Sequence, residues 1–298
     1  MTANARAQWQ IHFCVLLWGF TAILGKLISL PALALVVWRM LLVALVLALV
    51  PRVWRGLTRL SPRMLLGFAG IGVVVALHWL TFYGAIKLAN ASVAVTCIAL
   101  APVFLALVEP LITDKRFDAR ELALGIAVVP GVALVVGGVA PDMRLGVAVG
   151  ALSALLVAIF GSLNKRYIER ADPLTVTAIE LGAGALFLFL LGLLVPTLGD
   201  PLPWPSSADA GLLLLLALAC TLLPFALSLV ALRQLSAYSA QLAINLEPVY
   251  AILLAIPLLG EQHELSPQFY LGVAIVLLAV ILHPWLQGRA SRPLATPP

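Results

Sequence analysis

Ten long apolar segments, separated by clusters of proline, glycine and charge, occupy most of the 298-residue chain. A transmembrane helix needs about 20 mostly apolar residues, and its backbone must satisfy its own hydrogen bonds in hydrocarbon. The short alternating segments of a membrane β-barrel are not present. The sequence therefore predicts an all-α integral membrane protein with ten transmembrane helices. We number these segments spans 1 to 10; they cover residues 10–28, 32–50, 64–86, 91–111, 119–139, 145–164, 174–196, 209–231, 237–259 and 267–285.

Composition excludes most other classes of protein. The chain is 63% apolar and 10% charged, whereas a soluble domain is roughly 45–50% apolar and about 25% charged. No room remains for a soluble catalytic or nucleotide-binding domain, and we expect no nucleic-acid partner. Cys14, Cys97 and Cys220 lie singly inside apolar runs, a pattern that favours neither a disulfide framework nor a metal site. We expect no cofactor.

The distribution of Lys and Arg predicts the orientation in the membrane. Of 18 such residues, fourteen fall on the termini and loops of one face, three fall on the opposite face, and Arg39 lies within span 2. Cytoplasmic loops carry the excess of basic residues in multi-span proteins. Arg6 precedes span 1, which has no small-residue cleavage site and is expected to remain as an uncleaved helix. The prediction is a multi-pass protein of the cell inner (plasma) membrane with both termini in the cytoplasm.

The two halves of the chain repeat each other. Residues 85–91 (AIKLANA) match residues 231–237 (ALRQLSA), and residues 100–103 (LAPV) match residues 246–249 (LEPV) at the same offset. A repeat of five helices is odd in number, so the second copy must enter the membrane upside down. Inverted repeats place a substrate path near the bilayer midplane between the halves. We predict two inverted five-helix repeats and a tail, at residues 1–142, 143–288 and 289–298.

In this order the motifs resemble the EamA-type ten-helix members of the drug/metabolite transporter superfamily. The resemblance covers nearly the whole chain and departs from the family in one place, since Asp114-Lys115-Arg116 stands where the second copy has Gly260-Glu261. The residues that carry it are Trp18-Gly19-Phe20, Lys26, Trp38-Arg39, Ala91-Ser92, Ala101-Pro102-Val103-Phe104, Ala237, Pro248-Val249-Tyr250 and Gly260-Glu261.

The resemblance implies transport of small metabolites without ATP, often outward, with a substrate that the motifs do not encode. We expect a secondary exporter acting as a monomer or homodimer, with a small-molecule substrate, the lipid bilayer and protons as its partners. The alternatives are an exporter of lipophilic cations or drugs, a channel, and a non-transporting scaffold. An enzyme is not expected, because there is no HExxH motif and the cluster at residues 261–264 resembles a solvated turn.

Four ionisable residues lie inside the predicted spans: Arg39, His78, Glu180 and Glu247. Such groups are costly in the membrane and usually face a bundle interior or an aqueous cavity. Arg39 and Glu247 could hold the carboxylate and ammonium groups of a zwitterion such as an amino acid. His78 and Glu247 are candidates for proton coupling, since an unperturbed histidine titrates near pH 6.5. Glu180, at the opposite depth to Arg39, favours gating, and a purely structural role competes in each of the four cases.

Matching prolines in spans 4 and 9 complete the predicted site. Pro102 and Pro248 each remove a backbone hydrogen bond and free a carbonyl one turn earlier, near Ile98 and Ile244. Proline kinks can also serve packing alone, and the aromatic residues of span 3 can belong to the core. We predict a central cavity between the repeats, lined by Arg39, His78, Trp79, Tyr83, Pro102, Asn245, Glu247 and Pro248.

Overall fold

The computed structural model describes residues 3–244, 246–260, 266–276 and 278. Within these ranges the regular structure is helical and contains no β-strand, so the all-α prediction is confirmed. Short 3₁₀ turns and one π-helical turn, at Leu218–Leu222, complete the secondary structure. The helices are α1 Ala3–Leu27, α2 Ala32–Ala48, α3 Pro51–Leu57, α4 Pro62–Leu88, α5 Ala91–Ile98, α6 Ala101–Ile112, α7 Ala119–Ile126, α8 Val129–Gly138, α9 Arg144–Tyr167, α10 Pro173–Leu194, α11 Ser207–Ala217, α12 Leu223–Leu232, α13 Ala237–Ile244, α14 Glu247–Leu259 and α15 Pro267–Val276.

Each of the ten predicted spans contains helix. In the described part of the chain, seven helical stretches are long and apolar enough to cross a bilayer, and an eighth is the pair α2 and α3, which meet at a bend of 92°. Shorter apolar helices at Val249–Leu259 and Pro267–Val276 occupy the places of spans 9 and 10. The chain is thus a ten-span membrane protein of two inverted five-span repeats.

Polar caps followed by proline fix where several spans begin. Ser61 accepts a hydrogen bond from the backbone N–H of Met64 at 3.3 Å, and Pro62 is the first residue of α4. Asp172 caps α10 in the same way, ahead of Pro173. A cap satisfies a backbone donor that the first helical turn leaves free, and proline at this position loses nothing because its missing N–H would have been unpaired.

A proline interrupts the α-helical hydrogen bonding of spans 4 and 9 at equivalent places. Pro102 is the second residue of α6, and Pro248 is the second residue of α14. Proline cannot donate to the preceding turn. Span 4 nevertheless runs as one helical stretch, Ala91–Ile112, in which α5 passes into α6 through i→i+3 hydrogen bonds at residues 99–100. In span 9, α13 and α14 stand on either side of residue 245, which lies outside the described residues.

Contacts between the repeats follow their inverted symmetry. Helix α4 packs on α9, and its repeat mate α12 packs on α1; α6 packs on α9, and its mate α14 packs on α1. Glycines permit the closest approaches. A Cβ on Gly72 would collide with the backbone of Glu180, and one on Gly131 would collide with the carbonyl oxygen of Gly272. Small residues at such contacts let helix backbones meet in a membrane.

Matching hydrogen bonds join equivalent segments within each repeat. Lys87 Nζ, at the end of α4, donates to the carbonyl of Ile28 at 2.6 Å. Arg233 Nη2, just after α12, donates to the carbonyl of Ala171 at 2.6 Å. Lys87 and Arg233 are equivalent residues of the AIKLANA and ALRQLSA segments. Because the repeats are inverted, the two bonds lie on opposite sides of the membrane.

Candidate functional site

A cavity of about 100 Å³ lies between the repeats. Helices of both repeats form its wall, and most of the wall is apolar or aromatic. Ile98 and Ile244, the last residues of α5 and α13, both border it. Spans 4 and 9 therefore both contribute to the wall of this cavity. The ionisable residues on the wall are Arg39, His78 and Glu247, and its aromatic residues are Trp18, Trp79, Phe82, Phe160 and Phe225.

The Arg39 guanidinium is held in place by partners from two other segments, α4 and the middle of span 8. Nε donates to Thr221 Oγ1 at 2.6 Å, and Nη1 donates to Tyr83 Oη at 2.8 Å. Nη2 lies 3.5 Å from the carbonyl oxygen of Cys220. The guanidinium carbon is 3.8 Å from the centre of the Trp79 ring, a cation–π contact. These bonds use three of the five guanidinium N–H groups, so a buried cation at the cavity wall retains capacity for an anion.

A π-helical turn in span 8 supplies two of these partners. Leu218–Leu222 interrupts the α-helix between α11 and α12, and Thr221 Oγ1 donates to the carbonyl oxygen of Leu216 at 2.6 Å. This bond fixes the hydroxyl so that it accepts from Arg39. Such π-turns are frequent at functional sites. The turn is therefore part of the cavity's architecture, and sequence periodicity gave no sign of it.

Glu247 is the first residue of α14, the second helix of span 9. It is 9% exposed and borders the cavity. No hydrogen bond or ion pair to its carboxylate is found among the described residues; the ion pairs there are Arg52–Asp172, Lys115–Glu109 and Lys115–Glu121. The N-terminus of a helix favours negative charge. Arg39 and Glu247 thus border one cavity without pairing with each other.

His78 is fixed against span 6. Its Nδ1 lies 2.9 Å from the carbonyl oxygen and 2.8 Å from the hydroxyl oxygen of Ser153, and that hydroxyl donates to the His78 carbonyl at 3.0 Å. With the hydroxyl hydrogen used in this way, both Ser153 oxygens accept from Nδ1, which assigns the hydrogen of the neutral ring to Nδ1 and the lone pair to Nε2. The ring also contacts Phe160, with centroids 5.3 Å apart. Ser153 and Phe160 therefore fix the orientation of His78 at the cavity wall.

Several residues that the sequence placed on the cavity wall lie elsewhere. Tyr83 is fully buried behind Arg39 and does not border the cavity. Pro102 is buried in α6 and does not border the cavity. Ile98, the last residue of α5, borders it instead. Asn245 lies outside the described residues, and Pro248 is described only as part of the α14 backbone. Tyr83 affects the cavity indirectly, because it holds Arg39. Pro102 affects it by interrupting the hydrogen bonding within span 4.

Glu180 lies one layer behind the wall. It is fully buried in α10, and its Oε2 accepts a hydrogen bond from Asn164 Nδ2 at 3.3 Å. Asn164 borders the cavity, whereas Glu180 does not. Among the described residues, no group of three His, Cys, Asp or Glu side chains is arranged as a metal site. The two glutamates of the second repeat therefore have different places, one on the wall and one behind it.

Three polar contacts could not be assigned from the sequence. Thr221 anchors Arg39 only because of the π-turn, and Ser153 and Asn164 look like ordinary small polar residues of apolar helices. The one available signal was that a Ser or Asn in a span must find a partner in another helix. That rule does not say which partner. The aromatic residues Phe160 and Phe225 carried no signal beyond hydrophobicity.

Two inverted repeats around a cavity with buried charges define an α-helical membrane protein of the transporter type. The model of the EamA-like transporter family matches residues 8–137 and 144–283, one match for each repeat. The chain belongs to the EamA-like transporter family, within the drug/metabolite transporter superfamily, and is a multi-pass membrane transporter.

One solved crystal structure of a protein is similar in fold. It matches with a TM-score of 0.68 at 18% sequence identity, and the match covers 97% of this chain and 99% of that chain. At this identity the likeness bears on the fold alone. No curated protein matches the chain. The family and the fold therefore leave the substrate to be argued from the cavity.

Proposed function

We propose that the protein is a secondary exporter of a small zwitterionic metabolite, with amino acids as the substrate class. The observation that carries this proposal is the placement of Arg39 and Glu247 on one cavity wall without contact between them. A buried cation and a buried anion are both expensive when unpaired. A zwitterion between them would supply a carboxylate to Arg39 and an ammonium group to Glu247.

The size of the cavity agrees with a small substrate. A buried water needs about 10–15 Å³ of the same kind of space, so 100 Å³ corresponds to roughly seven to ten water-sized groups. That is the size of an amino acid with a modest side chain. The aromatic and aliphatic wall favours an apolar side chain on the substrate, because such a surface offers few polar partners.

A lipophilic cation is the second candidate, since aromatic rings and Glu247 both attract positive charge. Two properties of Arg39 argue against a cationic substrate. Arg39 already occupies a face of the Trp79 ring, at 3.8 Å. Its own charge would also repel a cationic substrate from the cavity. We therefore rank a zwitterionic substrate above a drug-like cation. A channel and a non-transporting scaffold are the alternatives to a transporter.

Alternating access between the repeats is the mechanism that we propose. The inverted repeats place equivalent hydrogen bonds, Lys87 to Ile28 and Arg233 to Ala171, on opposite sides of the membrane, so the same kind of contact is present at each end. Opening one end while the other stays closed exposes the cavity to one side at a time. His78 and Glu247 would carry any proton dependence of substrate binding, and Glu180 would act on the conformational change. The Lys and Arg distribution supports cytoplasmic termini in the inner membrane.

The test is transport by the purified protein in proteoliposomes. A panel of labelled amino acids and organic cations is measured with and without a pH gradient. Saturable exchange of amino acids, lost on replacement of Arg39 or Glu247, supports the proposal. Exchange of organic cations alone favours the drug exporter, flux at channel rates favours a channel, and no flux for any compound favours a scaffold.

A further inference from the structure

Two buried oxygen atoms at the Glu180–Asn164 contact have no hydrogen-bond partner among the described residues. They are Glu180 Oε1 and Asn164 Oδ1. The side chains touch through the other two polar atoms, since Asn164 Nδ2 donates to Glu180 Oε2 at 3.3 Å. Relative exposure is 0% for Glu180 and 1% for Asn164. An unpaired buried acceptor costs free energy, so two of them in one contact require an explanation.

An ionised Glu180 does not account for this arrangement. A buried carboxylate needs a cation or several good donors. Here the one donor is the neutral side-chain amide of Asn164, and its hydrogen bond is long, at 3.3 Å. No cationic side chain of the described residues forms an ion pair or hydrogen bond with Glu180. The ionisable cationic groups on the helices around it and at their ends are Arg39 on α2, Arg52 and Arg55 on α3, Arg63, His78 and Lys87 on α4, Arg144, Lys165 and Arg166 on α9, and Arg233 after α12.

One proton on Glu180 satisfies both orphaned atoms. With an O–H on Oε1, the acid can donate to Asn164 Oδ1 while Oε2 accepts from Nδ2, which is the paired ring of two hydrogen bonds that a carboxylic acid and an amide form. Turning the amide over does not remove the need, because Oδ1 would then face Oε2 and again require a proton between them.

We propose that Glu180 and Asn164 form a proton-binding site, occupied in this conformation and placed one layer behind the cavity wall. Asn164 borders the cavity, so it is the point at which water in an open cavity would reach the pair. Glu180 cannot shift toward that water easily, because its backbone is packed against Gly72. Release of the proton therefore requires the Asn164 side chain to move away from Glu180.

The role of this site in transport rests on the proposed function, but its existence does not. Within an alternating-access cycle, the neutral pair stabilises the contact between Asn164 on α9 and Glu180 on α10, and a charged Glu180 favours the state in which water separates the two side chains. The proton is then a ligand that selects between two arrangements of the repeats. The ligand class is the hydrogen ion, bound by a carboxyl group and an amide.

Infrared spectroscopy of the full-length protein in lipid tests the site without any substrate. A protonated carboxyl group has a carbonyl stretch above the amide band, and that stretch shifts in D₂O. We expect such a band at neutral pH, its loss in Glu180→Gln, and its retention in the control Glu247→Gln. Asn164→Ala should leave the band but shift it, because one hydrogen bond is removed. A wild-type spectrum identical to that of Glu180→Gln overturns the proposal.

Thermal stability as a function of pH is the second measurement. Raising the pH removes a proton that the folded state holds, so the wild type should lose stability as the pH increases. The amide introduced by Glu180→Gln can form the same two hydrogen bonds with Asn164 without a titrating proton, and the stability of this variant should respond less. Equal responses of wild type and variant overturn the proposal. Failure of amino-acid transport would leave both results standing and would count only against the proposed function.

Discussion

Glu247 and Ala101 stand at the same point of the two repeats, since Glu247 is the first residue of α14 and Ala101 is the first residue of α6. The local backbone is alike in the two copies, since each half-helix has proline as its second residue. One copy places a carboxylate at its helix N-terminus, and the other places a methyl group. The backbone at this point is therefore alike in the two repeats, whereas only the second repeat carries an acidic residue there.

Replacing Glu247 with Gln should impair transport of a zwitterion more than it impairs folding. The carboxylate forms no hydrogen bond or ion pair with the described residues, so its replacement should leave the described packing in place. A hydrogen bond to a charged group contributes about 1.5–3 kcal/mol, which predicts a rise in KM of roughly 10-fold or more. Glu169→Gln, at an exposed position, is the control. Unchanged amino-acid KM in Glu247→Gln would exclude an ammonium contact.

Replacing Arg39 with Lys should also weaken transport, although the positive charge is kept. Lysine cannot hold Thr221, Tyr83 and the Trp79 ring at once, because an ammonium group is compact and lacks the planar fork of a guanidinium. We expect a KM increase of about 10-fold or more on the same reasoning. Arg52→Lys is the matched control, since Arg52 forms an ion pair with Asp172 at the surface. Equal kinetics for both variants would contradict the assignment.

Substrate affinity should depend on pH through the groups of the cavity wall. His78 has Nδ1 committed to Ser153, so protonation can occur at Nε2 and would add a positive charge beside Arg39. We expect the pH profile of KM in proteoliposomes to flatten in His78→Gln, in Glu247→Gln or in the double variant. A profile that stays as steep as that of the wild type in all three would remove both residues from proton coupling.

Glycine substitutions on α4 should distinguish a glycine in a helix contact from a glycine that faces open space. Gly72→Ala places a Cβ against the backbone of Glu180, whereas Gly70→Ala places one in open space. Overpacking a helix contact costs about 1–3 kcal/mol. We expect a lower melting temperature and a lower folded yield for Gly72→Ala, and values close to wild type for Gly70→Ala. Equal stability of the two variants would show that α4 and α10 are not in this contact.

Membrane orientation can be checked by labelling single cysteines in intact cells. Cys14, Cys97 and Cys220 are buried, so they should give little background. Asp200→Cys is expected to react with a membrane-impermeant reagent from outside, and Arg59→Cys is expected to be protected; both positions are exposed at the protein surface. The reverse pattern would invert the proposed orientation.

The span architecture could be predicted from the sequence because bilayer thickness sets the length of each apolar segment. Arg39, His78, Trp79 and Glu247 were placed on one cavity wall by the same logic, since a charge inside a span has few other places to go. What the sequence did not supply was the exact orientation of each helix. Tyr83 lies behind Arg39 and not beside it, because a turn of helix decides which of two neighbouring aromatic residues reaches the cavity.

Interrupted helices were the second limit of prediction from the sequence. A proline inside an apolar segment predicts a weakened helix, but it does not say whether the helix ends there. Span 4 continues as one stretch, Ala91–Ile112, whereas in span 9 Glu247 is the first residue of α14. The partner of Glu180 was equally hidden, because Asn164 belongs to the neighbouring span and only tertiary packing brings the two together.

The π-helical turn at Leu218–Leu222 also accounts for a difference in length between the repeats. From the capping Ser61 of span 3 to the capping Asn90 of span 4 is 29 residues, and from Ser206 to the equivalent Ser236 is 30. A π-turn closes its hydrogen bond over one residue more than an α-turn does, so span 8 accommodates the extra residue without becoming longer than its mate. That wider turn is the one from which Thr221 and Cys220 reach Arg39, so a difference of one residue in length accompanies the chemical difference between the two halves.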